Sequence, residues 1–267
     1  MPELPDVEVF KQVLVRSALR KTIERVAVND KRILGRVAAP AFIRRLQGAK
    51  LVAAQRYGKH LLASIDRGAW LALHFGMTGD SVSSRRRAKN RPLRACGSDF
   101  AGDGSLAYTN KRMIGRVGLI ENAEDFLTVE KLGPDALDPR FDLSGFKTAL
   151  VGSKRDIKSV LMDQGIVAGI GNIYSDEILF QARINPAARV ETLTPTQIKR
   201  VFLTMRDVLK TAIAHGAGSE LFVERMPKGA LVPERKKGGH CPRCGSLLKV
   251  FKVGGRTAYC CPQCQIC

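Results

Sequence analysis

Hydrophobic spacing along the chain changes period twice. Val7, Phe10 and Leu14 recur at helical intervals, with Pro5, Asp6 and Glu8 suited to a first turn and the positive end of a helix dipole. A helix is therefore predicted over about 5–20. Short β-like runs follow at 23–28, 51–55, 61–65, 70–75, 106–108 and 117–120, many separated by Gly, Asp or Asn. That punctuation predicts antiparallel sheets in a sandwich or a barrel. Between the fourth and fifth runs, residues 85–94 hold six basic side chains in ten with no periodicity. They read as a solvated loop or as a loop facing phosphates.

Near Gly133-Pro134-Asp135 the texture becomes helical, with helices predicted over 143–151, 156–163 and 172–180 and a longer one over 194–216. Thr194, Pro195 and Gln197 supply an N-cap, a first-turn proline and a capping-box partner for the last. Ile198, Val201, Phe202, Met205, Val208, Leu209 and Ala212 line one face, and Gly216 stops it. A polar linker over 216–239 leads to a cysteine cluster. No internal repeat is present.

Composition narrows the partners. The 267 residues, 45% hydrophobic, suffice for a packed core without disulfides. Lys plus Arg is 44 against 25 Asp plus Glu, a net charge of +19, which attracts polyanions and points to nucleic acid. No apolar run approaches the ~18 residues of a membrane-spanning helix. Asp6 and Glu8 replace the cationic and apolar stretches of a signal peptide, so an intracellular, cytoplasmic location at the chromosome is expected.

In a reducing compartment, clustered cysteines suggest metal. Six of the seven lie in the last 27 residues, and Cys241-Pro-Arg-Cys244 and Cys261-Pro-Gln-Cys264 form two C-x-x-C knuckles separated by sixteen residues. Four thiolates close a tetrahedron around one structural Zn²⁺, which folds the segment without activating water. Redox-active pairs are the alternative. Cys260 and Cys267 are spare thiols, and Cys260 can replace Cys261 as a ligand. Cys96 is an ordinary buried or loop thiol. Gly254-Gly255 sits between 247–253 and 256–259 and signals a β-hairpin.

The opening Met1-Pro2-Glu3-Leu4-Pro5-Asp6-Val7-Glu8, the phrases YGKHLL and HFGMTG, the central DQGIVAGIGNIYSDEILF and the terminal ribbon occur in this order over the whole length. Together they resemble the formamidopyrimidine-DNA glycosylase/endonuclease VIII family, on the formamidopyrimidine side. The resemblance implies an α+β multidomain fold. An N-terminal catalytic β-sandwich with a leading helix would occupy 1–131, a helix-two-turns-helix DNA-binding domain 132–237 and a β-hairpin zinc finger 238–267. It also implies double-stranded DNA carrying damaged bases or abasic sites as partner, clamped between the two halves by a monomer.

The implied activity is base excision followed by strand cleavage through an N-terminal Schiff base. Removal of Met1 would expose Pro2 as a secondary amine, and free α-amines titrate near ~7.7–8.0, so a neutral nucleophile is present at physiological pH. Glu3 would carry protons at the sugar. Lys59 would contact phosphate near the lesion, and Arg256 at the finger tip joins the catalytic set as a phosphate fork. His74, Lys158, Asn172 and Arg256 match DNA-binding positions, with the glycines before Asn172 letting backbone amides approach a phosphate. Met77, Arg112 and Ile114 match the residues that fill the gap left by a flipped nucleotide.

Three departures stand out: Asp6 where glutamate is usual, Ile114 where an aromatic is usual, and a short linker over 217–239 read as lacking the aromatics of the lesion-capping loop. They keep open a broader lesion range, endonuclease VIII-like specificity for oxidised pyrimidines or hydantoins, or a catalytically weakened damaged-DNA-binding protein.

Overall fold

The computed structural model describes residues 2–35, 37–76, 79–84, 94–101, 104–110, 113–218 and 222–265. Their contacts gather into two units, one of Met1–Pro2 and Val7–Glu130, the other of Glu3–Asp6 and Lys131–Cys267. Helix α1 (Leu4–Ala18) begins in the second unit and runs on into the first.

In the first unit, β1 (Ile23–Val28), β2 (Leu51–Tyr57), β3 (His60–Ile65), β4 (Ala69–His74), β5 (Gly79–Ser84), β6 (Arg94–Phe100), β7 (Gly104–Asn110) and β8 (Arg116–Ile120) make two four-stranded antiparallel sheets. Their orders are β1-β6-β7-β5 and β2-β3-β4-β8. Side chains from both sheets, including Val26, Phe100 and Tyr108 from one and Leu61, Leu71 and Val117 from the other, share one core with Phe10 and Leu14 of α1. The architecture is thus the sandwich and not the barrel. Five of the six expected runs fall inside strands, and the fourth, 70–75, runs one residue past the end of β4.

The space between the fourth and fifth runs, of which only 85–94 reads as loop, holds two further strands. β5 and β6 have polar sequences, GDSVSS and RACGSDF, and pairing with β7 makes them strands where propensity does not. Residues 85–93 of the basic segment lie outside the described residues. Helices α2 (Ala39–Leu46) and α3 (Ala123–Val129) were also not foreseen. Helix α3 explains why β3 and β4 read as unbroken apolar runs: Leu61 and Ala63 face the sandwich, while Leu62 and Ala72 turn outward against Ala123, Phe126 and Leu127.

The second unit is helical, with α4 (Leu143–Leu150), α5 (Ile157–Met162), α6 (Asn172–Gln181) and α7 (Pro195–His215) around one apolar core, followed by the hairpin β9 (Lys249–Val253) and β10 (Arg256–Cys260). The expected capping box of α7 is formed: Gln197 N–H donates to Thr194 Oγ1 at 3.2 Å and Thr194 N–H to Gln197 Oε1 at 2.7 Å. The hairpin turns at Gly254 and Gly255, with φ of 54° and 75°, the two left-handed residues a tight hairpin of this kind demands. Between α5 and α6, Gln164 closes the connecting turn. Its amide donates to Met162 O and Ile170 O, both at 2.8 Å, and its oxygen accepts from Gly169 N–H at 3.0 Å.

Replacing Thr194 by Ala should cost the helical unit about 1 kcal/mol through loss of the N-cap bond. Urea unfolding checks this: the midpoint falls with the slope unchanged, and an unmoved midpoint would show that the box contributes nothing.

Candidate functional site

Each unit places part of the expected chemistry. In the first, Lys59 follows Gly58 in the β2–β3 turn and is buried. His60 and His74 pair across β3 and β4 with ring centroids 5.0 Å apart. Burial, reinforced by Lys59 and Arg116, lowers His74 to about 4, and burial with His74 and Lys59 lowers His60 to about 3. Both rings are neutral at physiological pH. Nδ1 of His74 accepts from Gly76 N–H at 3.4 Å, which puts the ring proton on Nε2. His74 is therefore a neutral hydrogen-bond donor at Nε2 and not a cation.

Ile114 is 52% exposed, in a loop that follows β7. Beneath it, Tyr108 O–H donates to His74 O at 2.8 Å and Asn110 Nδ2 to Phe75 O at 3.0 Å. Those bonds hold the end of β4 from the β7 side. Met77 and Arg112, expected beside Ile114, lie outside the described residues, as do Met1 and Cys267. Pro2 is partly buried.

In the second unit the residue after Pro2 is the most tightly held. Glu3 is 1% exposed, and its carboxylate accepts three backbone N–H groups: Gly171 at 2.6 Å and Tyr174 at 3.2 Å on Oε2, Ile173 at 2.8 Å on Oε1. These are the free donors at the start of α6, where the helix dipole favours a negative group. A Cβ at position 171 would lie 2.6 Å from the Glu3 carboxyl carbon, so only glycine admits the carboxylate. Amides expected to meet a DNA phosphate thus meet Glu3 instead. Asp6, whose shortening raised a question of role, accepts Glu3 N–H at 2.7 Å and Leu4 N–H donates to Gly169 O at 3.0 Å, which anchors the start of α1.

Asn172 opens α6, its side-chain Oδ1 buried without a hydrogen-bond partner among the described residues. Lys158 has no exposed surface. Its ammonium donates to Asp176 and, at 3.3 Å, to Asn172 O, while burial pulls its pKa down against the opposing pull of Asp176. The lysine expected to grip phosphate is an interior ion-pair member, because a carboxylate one turn into α6 claims it. Arg256 does project into solvent from the hairpin tip.

Cys241, Cys244, Cys261 and Cys264 place their sulfurs within 4.8 Å of one another. The Cys241–Cys264 and Cys244–Cys261 sulfur separations are 3.8 and 3.5 Å. A tetrahedron with ~2.3 Å metal–sulfur bonds has edges of about 3.8 Å, so the donor set fits one ion. Cys260 stands apart from the cluster, buried with its thiol toward Cys261 O.

Sequence reasoning missed Asp176, Glu177 and Arg235. Both acids lie in an unbroken buried run over 174–180 of α6, which no amphipathic spacing signals, and Arg235 sits in a linker that reads as solvated. That linker also carries an aromatic after all: Phe222 is 46% exposed, with the Arg225 guanidinium 3.9 Å from its ring centre. No helix among the described residues is long and apolar enough to cross a membrane.

Two family models match, the formamidopyrimidine-DNA glycosylase N-terminal domain over residues 1–117 and the formamidopyrimidine-DNA glycosylase H2TH domain over 132–223. Formamidopyrimidine-DNA glycosylase of Thermomicrobium roseum is 34% identical, with 99% of each chain covered. That of Moorella thermoacetica is 35% identical over 93% of this chain and 94% of its own. Among solved structures, the Lactococcus lactis enzyme in complex with FAPY-dG-containing DNA superposes with a TM-score of 0.89 at 28% identity, covering 99% of this chain and all of that one. The same protein bound to an abasic-site DNA gives 0.87. With the sandwich, the buried Glu3 and the four-cysteine cluster in place, these likenesses settle the kinship: the chain belongs to the formamidopyrimidine-DNA glycosylase family.

Proposed function

We propose that this protein is a DNA glycosylase and abasic-site lyase in which Pro2 is the nucleophile and Glu3 moves protons beside it. The observation that carries the reading is the Glu3 carboxylate, buried on three backbone donors one residue after Pro2. A secondary amine at the chain start attacks the sugar C1′, the bond to the damaged base breaks, and the base leaves with the electron pair and a proton. The amine then gives up its proton and the C1′–O4′ bond breaks, O4′ taking the electron pair and a proton. This leaves an iminium that is cationic without further protonation and draws electrons as a proton leaves C2′ and the 3′ phosphate departs with its bonding pair. Held on fixed donors, Glu3 exchanges protons without moving, which suits a group serving several steps.

Lys59, His74, Asn172 and Arg256 are assigned to phosphates, with Arg256 also serving the reacting strand. Met77, Arg112 and Ile114 are assigned to the gap left by the flipped nucleotide. Lys158 acts from the interior. Oxidised purines are the assigned substrates, supported by the FAPY-dG and abasic-site complexes of the Lactococcus lactis relative. Residues 1–131, 132–237 and 238–267 are proposed as the catalytic, helical and finger parts. Zinc is the proposed metal of Cys241, Cys244, Cys261 and Cys264, where it shapes the finger. An intracellular location at the chromosome is proposed with this reading, supported by the DNA complexes of the Lactococcus lactis relative.

Pro2→Gly should leave duplex binding intact and abolish borohydride-trapped adduct on DNA containing 8-oxoguanine or an abasic site. Undiminished trapping would point to a lysine nucleophile. Glu3→Gln should slow excision by ~10²–10⁴. Gly171→Ala, which drives a methyl into the carboxylate, should slow it in the same direction, and wild-type single-turnover rates in both variants would remove Glu3 from the chemistry. Chelation of zinc should disorder the hairpin and weaken duplex binding while the sandwich stays folded, since structural zinc contributes ~10–16 kcal/mol in isolated fingers. Unchanged binding by the metal-free protein would separate the finger from DNA recognition.

A further inference from the structure

We propose that Asp176 is a positioning residue for DNA binding: its carboxylate ties the finger hairpin to the start of α6 and so fixes Arg256 relative to Asn172. The inference rests on the function proposed above, in that it takes those two residues as DNA contacts.

Asp176 has no exposed surface and lies one helical turn after Asn172. Donors from three other segments converge on it. Lys158 comes from α5, Arg235 from the linker through Nε at 3.0 Å and Nη2 at 2.8 Å, and the Tyr259 N–H from β10 at 3.3 Å. Lys158 Nζ and Arg235 Nη2 also both donate to Asn172 O, at 3.3 and 3.2 Å. The same two cations therefore bridge the helix start and Asp176. Arg235 continues to the hairpin, its guanidinium 4.9 Å from the Tyr259 ring centre.

Tyr259 is three residues from Arg256 on the same strand. The turn of the hairpin is held as well, because a Cβ on Gly254 would come 2.4 Å from Ser159 Oγ of α5. Four cysteines around one ion define the finger internally but leave its direction open. Phe180, Leu231 and Leu248 join the cysteines in an apolar cluster against which Tyr259 packs, and at the far end of α6 Gln265 Nε2 donates to Ile184 O at 2.9 Å and Arg243 to Gln181 Oε1 at 3.1 Å. Apolar contacts tolerate sliding and rotation, whereas a carboxylate with fixed donors in a dry interior admits one arrangement. Burying two cations and one carboxylate is an expensive way to fill space. What it supplies is register between two groups that must meet one DNA backbone.

A double-mutant cycle tests the link on a duplex carrying a tetrahydrofuran abasic-site analogue, using full-length zinc-loaded protein. Asp176→Asn should weaken binding about tenfold while retaining one zinc per chain and the wild-type circular dichroism. Trapping on natural abasic-site DNA at saturating concentration should fall no further than it does in Arg256→Ala, since Pro2 and Glu3 are untouched. Arg256→Ala should weaken binding and flatten the salt dependence by about one phosphate contact, and Asp176→Asn should flatten it likewise. In the Arg256→Ala background, Asp176→Asn should add less than twofold.

A full tenfold loss in that background, or no loss in the single variant, would overturn the proposal. If Asp176→Asn does not fold, Arg235→Gln breaks the same link while leaving the Lys158–Asp176 pair, and the same non-additivity is required of it. The cycle reads binding alone. A wild-type protein that binds the duplex yet forms no trapped adduct would instead overturn the function proposed for Pro2.

Discussion

A carboxylate seated on the first amides of a helix is the constraint around which the start of the chain is arranged. Glu3 is 168 residues from Gly171 in sequence, yet it takes three of the donors that open α6. Hydrogen bonds to a charged group contribute about 1.5–3 kcal/mol each, and the dipole of α6 adds to them. The surroundings conform to this seat. Gly171 has no side chain because the carboxylate occupies that volume, and Gln164 closes the turn that presents the amides. Asp6 caps α1 from within, so that the residue before Glu3 is delivered at a defined place.

Charge is used in two different ways. The excess of basic side chains that draws the protein to a polyanion is carried largely by exposed residues, Arg256 among them. Inside, positive charge is either matched or removed. Lys158 and Arg235 share Asp176, and the two buried histidines are held neutral by desolvation and by the cations beside them. A neutral His74 still donates a hydrogen bond, so loss of its charge does not remove its capacity to bind an acceptor. The same logic reassigns Lys158. Its interior partners let it hold Asn172 O at the start of α6 without touching solvent.

Elements with local causes were legible in the chain. The capping box at Thr194, the hairpin at Gly254-Gly255, the cysteine knuckles and the apolar faces of α1 and α7 each follow from a few neighbouring residues and appear where expected. β5 and β6 were not legible, since GDSVSS and RACGSDF become strands only by pairing with β7. Nor was α3, although its effect was visible as strands β3 and β4 that do not alternate. That trace has two readings, and choosing between them takes knowledge of what covers the outer face.

The same division runs through the site. Sequence singles out Pro2, Glu3, Arg256 and the four cysteines as candidates because motif order and ligand spacing are properties of the chain alone. What they do for one another it does not reveal. The glycine-rich start of α6 reads as a phosphate cradle, and only the folded chain shows Glu3 already seated in it. Lys158 reads as a surface cation until Asp176, eighteen residues on, is found facing it in the interior. Sequence determined which groups are present and how they are spaced. Tertiary structure decided which charges are paired, because pairing depends on distance and dielectric across segments far apart in the chain.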